Sequence, residues 1–171
     1  MYPLIRNLVK EDQSIIAMGF KKWAENIIAN GVPHNNWNLF QADFIVKIAL
    51  VLQDNQAYAD GKGKQYYLDY IVNQNSIRQW SMNKLIDFGF DQKAKIWYES
   101  PGYSTTVLST LCDFANMLDE KAGIDMFKQR PILIDGVKTS AEYLFPNRMI
   151  AGFGDTHPNY LNQGGINNIL K

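Results

Sequence analysis

Two short stretches of this 171-residue chain bring together residue types that can do chemistry. His34-Asn35-Asn36-Trp37 precedes one apolar helical run, and Trp97-Tyr98-Glu99-Ser100-Pro101-Gly102-Tyr103 precedes another. At the mouth of a helix, polar and aromatic side chains can face a cleft instead of the core. An amide can hold a carboxylate, an indole can stack on a sugar ring, and a phenol can move a proton. Together these groups suit the handling of an acidic sugar. A plainer reading stands beside each of them. Asn35 and Asn36 can be caps for the helix that starts at Trp37. Tyr103 can be an amphipathic anchor at a helix start, and Glu99 an acid placed where the helix dipole favours it. His34, next to Pro33 and the amides, either lines the same cleft or faces solvent.

The elements that must position these groups are helical. Ile15, Ile16, Met18, Trp23, Ile27 and Ile28 recur at helical spacing and stop at Asn30-Gly31. Val32-Pro33 then forces extended backbone into the His-Asn-Asn-Trp loop. From Trp37, the pairs Leu39-Phe40, Phe44-Ile45, Ile48-Ala49 and Val51-Leu52 form a broad apolar face, which predicts an inner, well-buried helix. Residues 54–64, with Gly61 and Gly63, read as a loop. Tyr66 through Ile86 reads as one or two helices, with Ser76 as an N-cap after the Asn73-Gln74-Asn75 break. Residues 103–118 form another amphipathic helix, which carries Cys112 as a buried thiol. Two short helical pieces around Pro131 and Gly136 follow. After Pro146 the pattern changes, and residues 148–155 read as a strand or hairpin. The expected fold is all-α, built of antiparallel helical hairpins. Residues 1–145 make the helical domain and 146–171 a β-hairpin or extended tail.

Composition narrows the function classes. Seventeen basic and seventeen acidic residues give no net charge, so there is no electrostatic footprint for nucleic acid. No stretch approaches the roughly 20 apolar residues of a membrane span. The opening Met1-Tyr2-Pro3-Leu4-Ile5-Arg6 lacks the apolar core of a secretory signal peptide. A single cysteine allows no internal disulfide. Asp155-Thr156-His157 offers ligand types without a third at metal spacing, so no metal is expected and no cofactor motif is present. A turn is the expected setting of Asp155.

Asn35-Asn36-Trp37 before a buried helix, then Trp97 to Tyr103 before the next inner helix, resembles the heparinase II/III-like and alginate/chondroitin lyase group. Phe153-Gly154-Asp155-Thr156 is similar to the segment where such proteins leave their helical domain. The resemblance implies an (α/α) toroid, of which this chain holds part, and β-elimination at a uronic acid in an acidic polysaccharide such as a glycosaminoglycan or alginate. It implies Asn36 as the residue that binds the uronate carboxylate and Tyr103 as the residue that transfers protons. Trp37 falls where many relatives carry histidine and some tryptophan, which leaves the usual histidine helper unassigned. His34 and His157 are the only histidines, and neither sits at the expected step.

The proton on C5 of a uronate is feebly acidic, and donors that stabilise the developing enolate lower the barrier. A tyrosine, ordinarily titrating near ~10, must be shifted down by cations or donors to act as base. Arg148 and Lys95 are candidates by sequence order. Around the pair Asn36 and Tyr103, the expected substrate-binding set is His34, Asn35, Trp37, Glu99, Arg148 and His157. Family members are several times longer and add a β-sandwich, so this chain is expected to be a fragment, a partial domain or a small relative. The resemblance implies a periplasmic or secreted setting. Exposed helix faces of a partial toroid would favour homo-oligomers. A non-catalytic carbohydrate-binding or oligomeric helical module remains open as an alternative. So does a glycoside hydrolase, although that chemistry wants a pair of cleft carboxylates.

Overall fold

The computed structural model describes residues 10–147 and 149–156. Among these the regular structure is helical: α1 (Lys10–Asn30), α2 (Asn36–Val51), α3 (Lys64–Asn73), α4 (Met82–Gly89), α5 (Pro101–Ala122), α6 (Met126–Gln129) and α7 (Ile132–Ser140). Short 3-10 turns lie at Asn55–Ala57 and Ala141–Tyr143. The all-α expectation holds. Extended pairing among the described residues is limited to isolated antiparallel bridges, Phe90 with Trp97 and Leu144 with Ile150. The second closes a minimal turn after Pro146, where the Phe145 N–H donates to the Met149 carbonyl at 2.9 Å. No helix among the described residues is long and apolar enough to cross a membrane. The chain divides into two compact units, Met1–Leu85 and Ile86–Lys171.

In the first unit, α1 and α2 form a helical hairpin through the loop 31–35, and α3 packs on α2. As its broad apolar pattern predicts, α2 is the inner helix, burying Leu39, Ala42, Ile45, Val46, Ile48 and Ala49. Each large aliphatic side chain so buried contributes roughly 1.5–3 kcal/mol of transfer free energy, which holds α2 between its neighbours. Its far side is uncovered: Trp37, Phe40 and Phe44 are exposed. Trp23 of α1 stacks on Phe44 with ring centroids 6.2 Å apart.

Ser76 does not start a helix, contrary to expectation. Its Oγ accepts the Arg78 and Gln79 N–H groups in a local turn, and Ser81 takes the capping role instead, its Oγ accepting the Lys84 N–H at 3.1 Å. The start is delayed because the backbone of Trp80 is bonded to the side chain of Asn38, which holds this segment out of helical geometry.

In the second unit, α6 and α7 pack on the long helix α5. Val107, Leu108, Leu111, Cys112, Phe114, Ala115 and Leu118 form its buried face. Burial pushes the Cys112 thiol up to about 12, so it sits in the core as an inert small hydrophobe. Gly123, at φ +67°, ends α5, and the Ile124 N–H returns to the Leu118 carbonyl. Gly136 lies inside α7 and does not break it. A Cβ there would come within 2.8 Å of the Phe90 ring, so glycine serves close packing.

Candidate functional site

The first marked loop lies in the first unit. After Pro33 the chain turns through His34 in the left-handed region, at φ +54°. The His34 ring packs at 5.2 Å against Trp80. Asn35 is the N-cap of α2: its side-chain oxygen accepts the Trp37 N–H at 2.9 Å. That amide is spent on the helix. Asn36, the first residue of α2, is half-exposed, and among the described residues no hydrogen bond engages its side chain. Trp37 is 61% exposed, with the Phe40 ring edge-on at 6.2 Å. An uncommitted amide and an open indole thus sit side by side on the first turn of α2.

Sequence reasoning overlooked the amides that hold this loop in place. Asn38, fully buried, donates to the Trp80 carbonyl at 3.0 Å and accepts the Trp80 N–H at 2.8 Å. Gln41 accepts the Val32 N–H and donates to Gln79, whose own amide donates to the Asn38 carbonyl. The available signal was a polar residue at each of two positions of the α2 helical face, Asn38 and Gln41, where a core pattern wants apolar ones.

The second loop lies in the second unit. Trp97 is buried edge-on to Phe90, its ring so close over Gly89 that a Cβ there would clash with it. It anchors the loop and is closed to substrate. Asp91 folds the preceding turn by accepting the Lys93 and Ala94 N–H groups, and these hold its carboxyl below the usual carboxylate range. Lys95, in the same turn, adopts φ +60°. The Tyr98 hydroxyl donates to Asp91 at 3.3 Å; desolvation and that neighbouring charge raise its pKa, which makes it a poorer base. Tyr103 differs. It sits on the first turn of α5, 47% exposed, with no hydrogen bond to its hydroxyl among the described residues. Both tyrosines of the motif are exposed, Tyr98 at 63%, and Tyr103 is the one whose hydroxyl is not already engaged by a described neighbour.

The structure also joins the second marked loop to the Phe-Gly-Asp-Thr segment. Ser100 precedes Pro101, which opens α5 at the position where a missing N–H costs nothing. The Ser100 hydroxyl does not cap its own helix; it donates to Asp155 at 2.5 Å and accepts from Thr156 at 2.7 Å. Thr156 in turn accepts the Gly102 N–H at 2.9 Å, and so caps α5 from a distant part of the chain. Gly102 leaves room for this approach, since a Cβ there would meet the Thr156 methyl at 2.8 Å. Asp155 lies in a turn, as expected. Glu99 is exposed beside this latch. Desolvation raises its carboxyl pKa, a hydrogen bond from Trp97 pulls it back, and the Asp155 charge adds to the rise.

Arg148 and His157 lie outside the described residues. Among those described, no group of three or more metal-ligating side chains forms.

No curated protein and no solved structure shows a significant match to the chain. Residues 93–169 match the family described as endo-acting ulvan lyase 2nd domain. The match spans less than half the chain and contains Tyr103 together with the whole Ser100–Asp155–Thr156 latch. It supports a polysaccharide-lyase-like function on acidic polysaccharides in general, and not specifically the heparinase II/III or alginate/chondroitin group.

Proposed function

We propose that this chain is the helical part of a polysaccharide lyase that cleaves uronate-containing polysaccharides by β-elimination. In this reading its hairpins form part of an (α/α) toroid of the heparinase II/III type, in an enzyme that works in the periplasm or outside the cell. The carrying observation is that the ulvan lyase match falls on the segment that presents Tyr103, the uncommitted phenol at the start of α5. Asn36 neutralises the substrate carboxylate with its side-chain amide, Trp37 offers its exposed indole face to a sugar ring, and Tyr103 removes the C5 proton. Electrons from the broken C5–H bond form the C4–C5 double bond as the C4–O bond breaks. The departing oxygen takes up a proton, and the new non-reducing end carries a 4,5-unsaturated uronate.

The test is incubation of the protein with ulvan, alginate, chondroitin sulfate and heparan sulfate while ultraviolet absorbance of the unsaturated product is followed. Absorbance should rise with at least one polymer. Tyr103→Phe should cut the rate by a factor of about 10²–10⁴, the usual worth of a positioned acid–base group. Asn36→Ala should cost about 10²–10³ through loss of the donor to the enolate. A full rate in Tyr103→Phe would overturn the role of the phenol. New reducing ends without the chromophore would point to a hydrolase.

A second reading, a carbohydrate-binding module without catalysis, is favoured by one observation. The matched family is described as a second domain, and Asn36 and Trp37 lie outside the matched residues. Binding of a polymer with no absorbance change would establish it.

A further inference from the structure

The first unit carries a second cluster of charged and aromatic groups, separate from the His34–Trp37 loop and outside the matched segment. An open depression of about 640 Å³ lies between α1, the loop that follows α2, and α3. Ligand pockets commonly enclose about 300–1,000 Å³. Its wall is built from two linked pairs. The Lys21 ammonium contacts Asp60 at 2.6 Å and lies 4.1 Å from the Tyr58 ring centroid. The Lys62 ammonium contacts Glu25 at 2.9 Å, and the same carboxylate oxygen accepts the hydroxyl of the buried Tyr67, also at 2.9 Å. Each cation is therefore held in place before any ligand arrives. The Lys21 side chain is only 12% exposed, and Glu25 holds the Lys62 ammonium above the ordinary lysine range.

Lys22 also lines the depression, and it is exposed. Three lysines against Glu25 and Asp60 leave one positive charge in excess. An ammonium has three donor protons, and one carboxylate contact leaves others for a ligand. A wall of mixed sign disfavours a dense polyanion, because the two carboxylates would repel successive phosphates. It fits a ligand that carries both hydroxyl donors and one anionic group on a ring with a C–H face. The hydroxyls of such a ligand would donate to Glu25 and Asp60 and its anion would meet the lysines, while Tyr58 braces Lys21 from beneath.

We propose that this depression is a second binding site for one acidic sugar residue, a uronate or sulfated ring, of a polysaccharide chain. The proposal rests on the acidic-polysaccharide reading for its ligand class but requires no elimination chemistry.

The full chain carrying Tyr103→Phe, so that no probe is consumed, is titrated with a chondroitin sulfate hexasaccharide and followed by two-dimensional NMR. Amide shifts should move at Tyr58, Asp60 and Lys62. The dissociation constant read from those shifts should rise about tenfold in Lys22→Gln and in Lys62→Gln, as expected for loss of a charge-assisted contact. It should also rise with ionic strength. A neutral cellohexaose should bind at least about tenfold more weakly, and sodium sulfate alone should not reproduce the shifts at equal concentration. Lys22 is exposed, so its substitution leaves the fold intact and keeps the test sound if Lys62→Gln is destabilised. No movement at these amides, shifts indifferent to both lysine substitutions, equal binding of the neutral chain, or equal shifts from sulfate would each overturn the site. These outcomes are independent of whether the unsubstituted protein generates the unsaturated product, so failure of the lyase reading is recorded separately.

Discussion

The starts of α2 and α5 solve one problem in opposite ways. Both begin at a loop bearing polar and aromatic residues, and both leave first-turn N–H groups in need of acceptors. At α2 the answer is local: Asn35 reaches two residues forward to the Trp37 N–H. At α5 the answer comes from far away, since Thr156 caps Gly102 while Ser100 turns its hydroxyl toward Asp155 and Thr156. A local cap forms as soon as its helix does. A distant cap exists only when the whole unit is folded, so the first turn of α5, and Tyr103 with it, depends on a segment more than fifty residues downstream. A polar first turn can thus be an autonomous device or a report on tertiary structure.

The strongest way to break this contrast is at Asn38, where the α2 region has its own long-range dependence. Asn38→Ala leaves the Trp80 N–H without its acceptor in a part-buried setting and takes one of two donors from the Trp80 carbonyl, which keeps the Gln79 amide. The expected loss is about 2–3 kcal/mol, chiefly from the unsatisfied N–H, since such a group costs ~1–3 kcal/mol. Urea denaturation followed by helical ellipticity measures it. A loss no larger than that of Asn35→Ala, expected at about 1 kcal/mol, would mean the loop is held by its own cap and not by the buried amide.

Next in size is Thr156→Val, which keeps the shape and removes the hydroxyl. The Gly102 N–H and the Ser100 hydroxyl each lose a partner at a partly exposed site, for an expected cost of about 1–1.5 kcal/mol. Hydrogen exchange sharpens the comparison. Thr156→Val should accelerate exchange at the Gly102 amide and leave Trp37 unchanged, whereas Asn35→Ala should do the reverse. Protection of Gly102 that persists in Thr156→Val would show that α5 needs no distant cap.

The same contrast explains what the sequence could disclose. The periodicity of α2 and α5, the proline that opens α5 and the amide that caps α2 are written within a few residues of their effect. Glycine positions were half legible: the first helix ends at Asn30, just before Gly31, as its pattern announces, but Gly136 sits within a helix because of Phe90, which no local pattern announces. Ser76 looked like a cap because it follows a run of amides, and Ser81 took that role once Asn38 had claimed the Trp80 backbone. At the candidate site, the openness of Trp37 and Tyr103 agrees with their loop setting. The burial of Trp97 and the capture of Tyr98 by Asp91 depend on tertiary approach. Lys21 with Asp60 and Lys62 with Glu25 stand more than thirty residues apart in sequence, and they form a preorganised wall only where α1 meets the loop after α2.

The smallest expected effect falls beside the distant cap, at Glu99. Its carboxyl is raised above the ordinary 4.5, first by desolvation and further by the Asp155 charge. The folded state therefore holds this proton more tightly than the unfolded chain does. As pH rises through 4.5 the unfolded chain gives up its proton first, and stability falls until the folded carboxyl has also ionised. Glu99→Gln removes that slope, so it should raise the urea midpoint slightly at pH 7 and leave it nearly unchanged well below pH ~4. The carboxyl is exposed and solvent screening keeps the gain small. Pairing the substitution with Asp155→Asn decides the cause. If the Asp155 charge contributes, the pH 7 gain of Glu99→Gln shrinks once Asp155 is neutral; if it is undiminished, desolvation alone sets the shift and the latch exerts no electrostatic pressure on its neighbour.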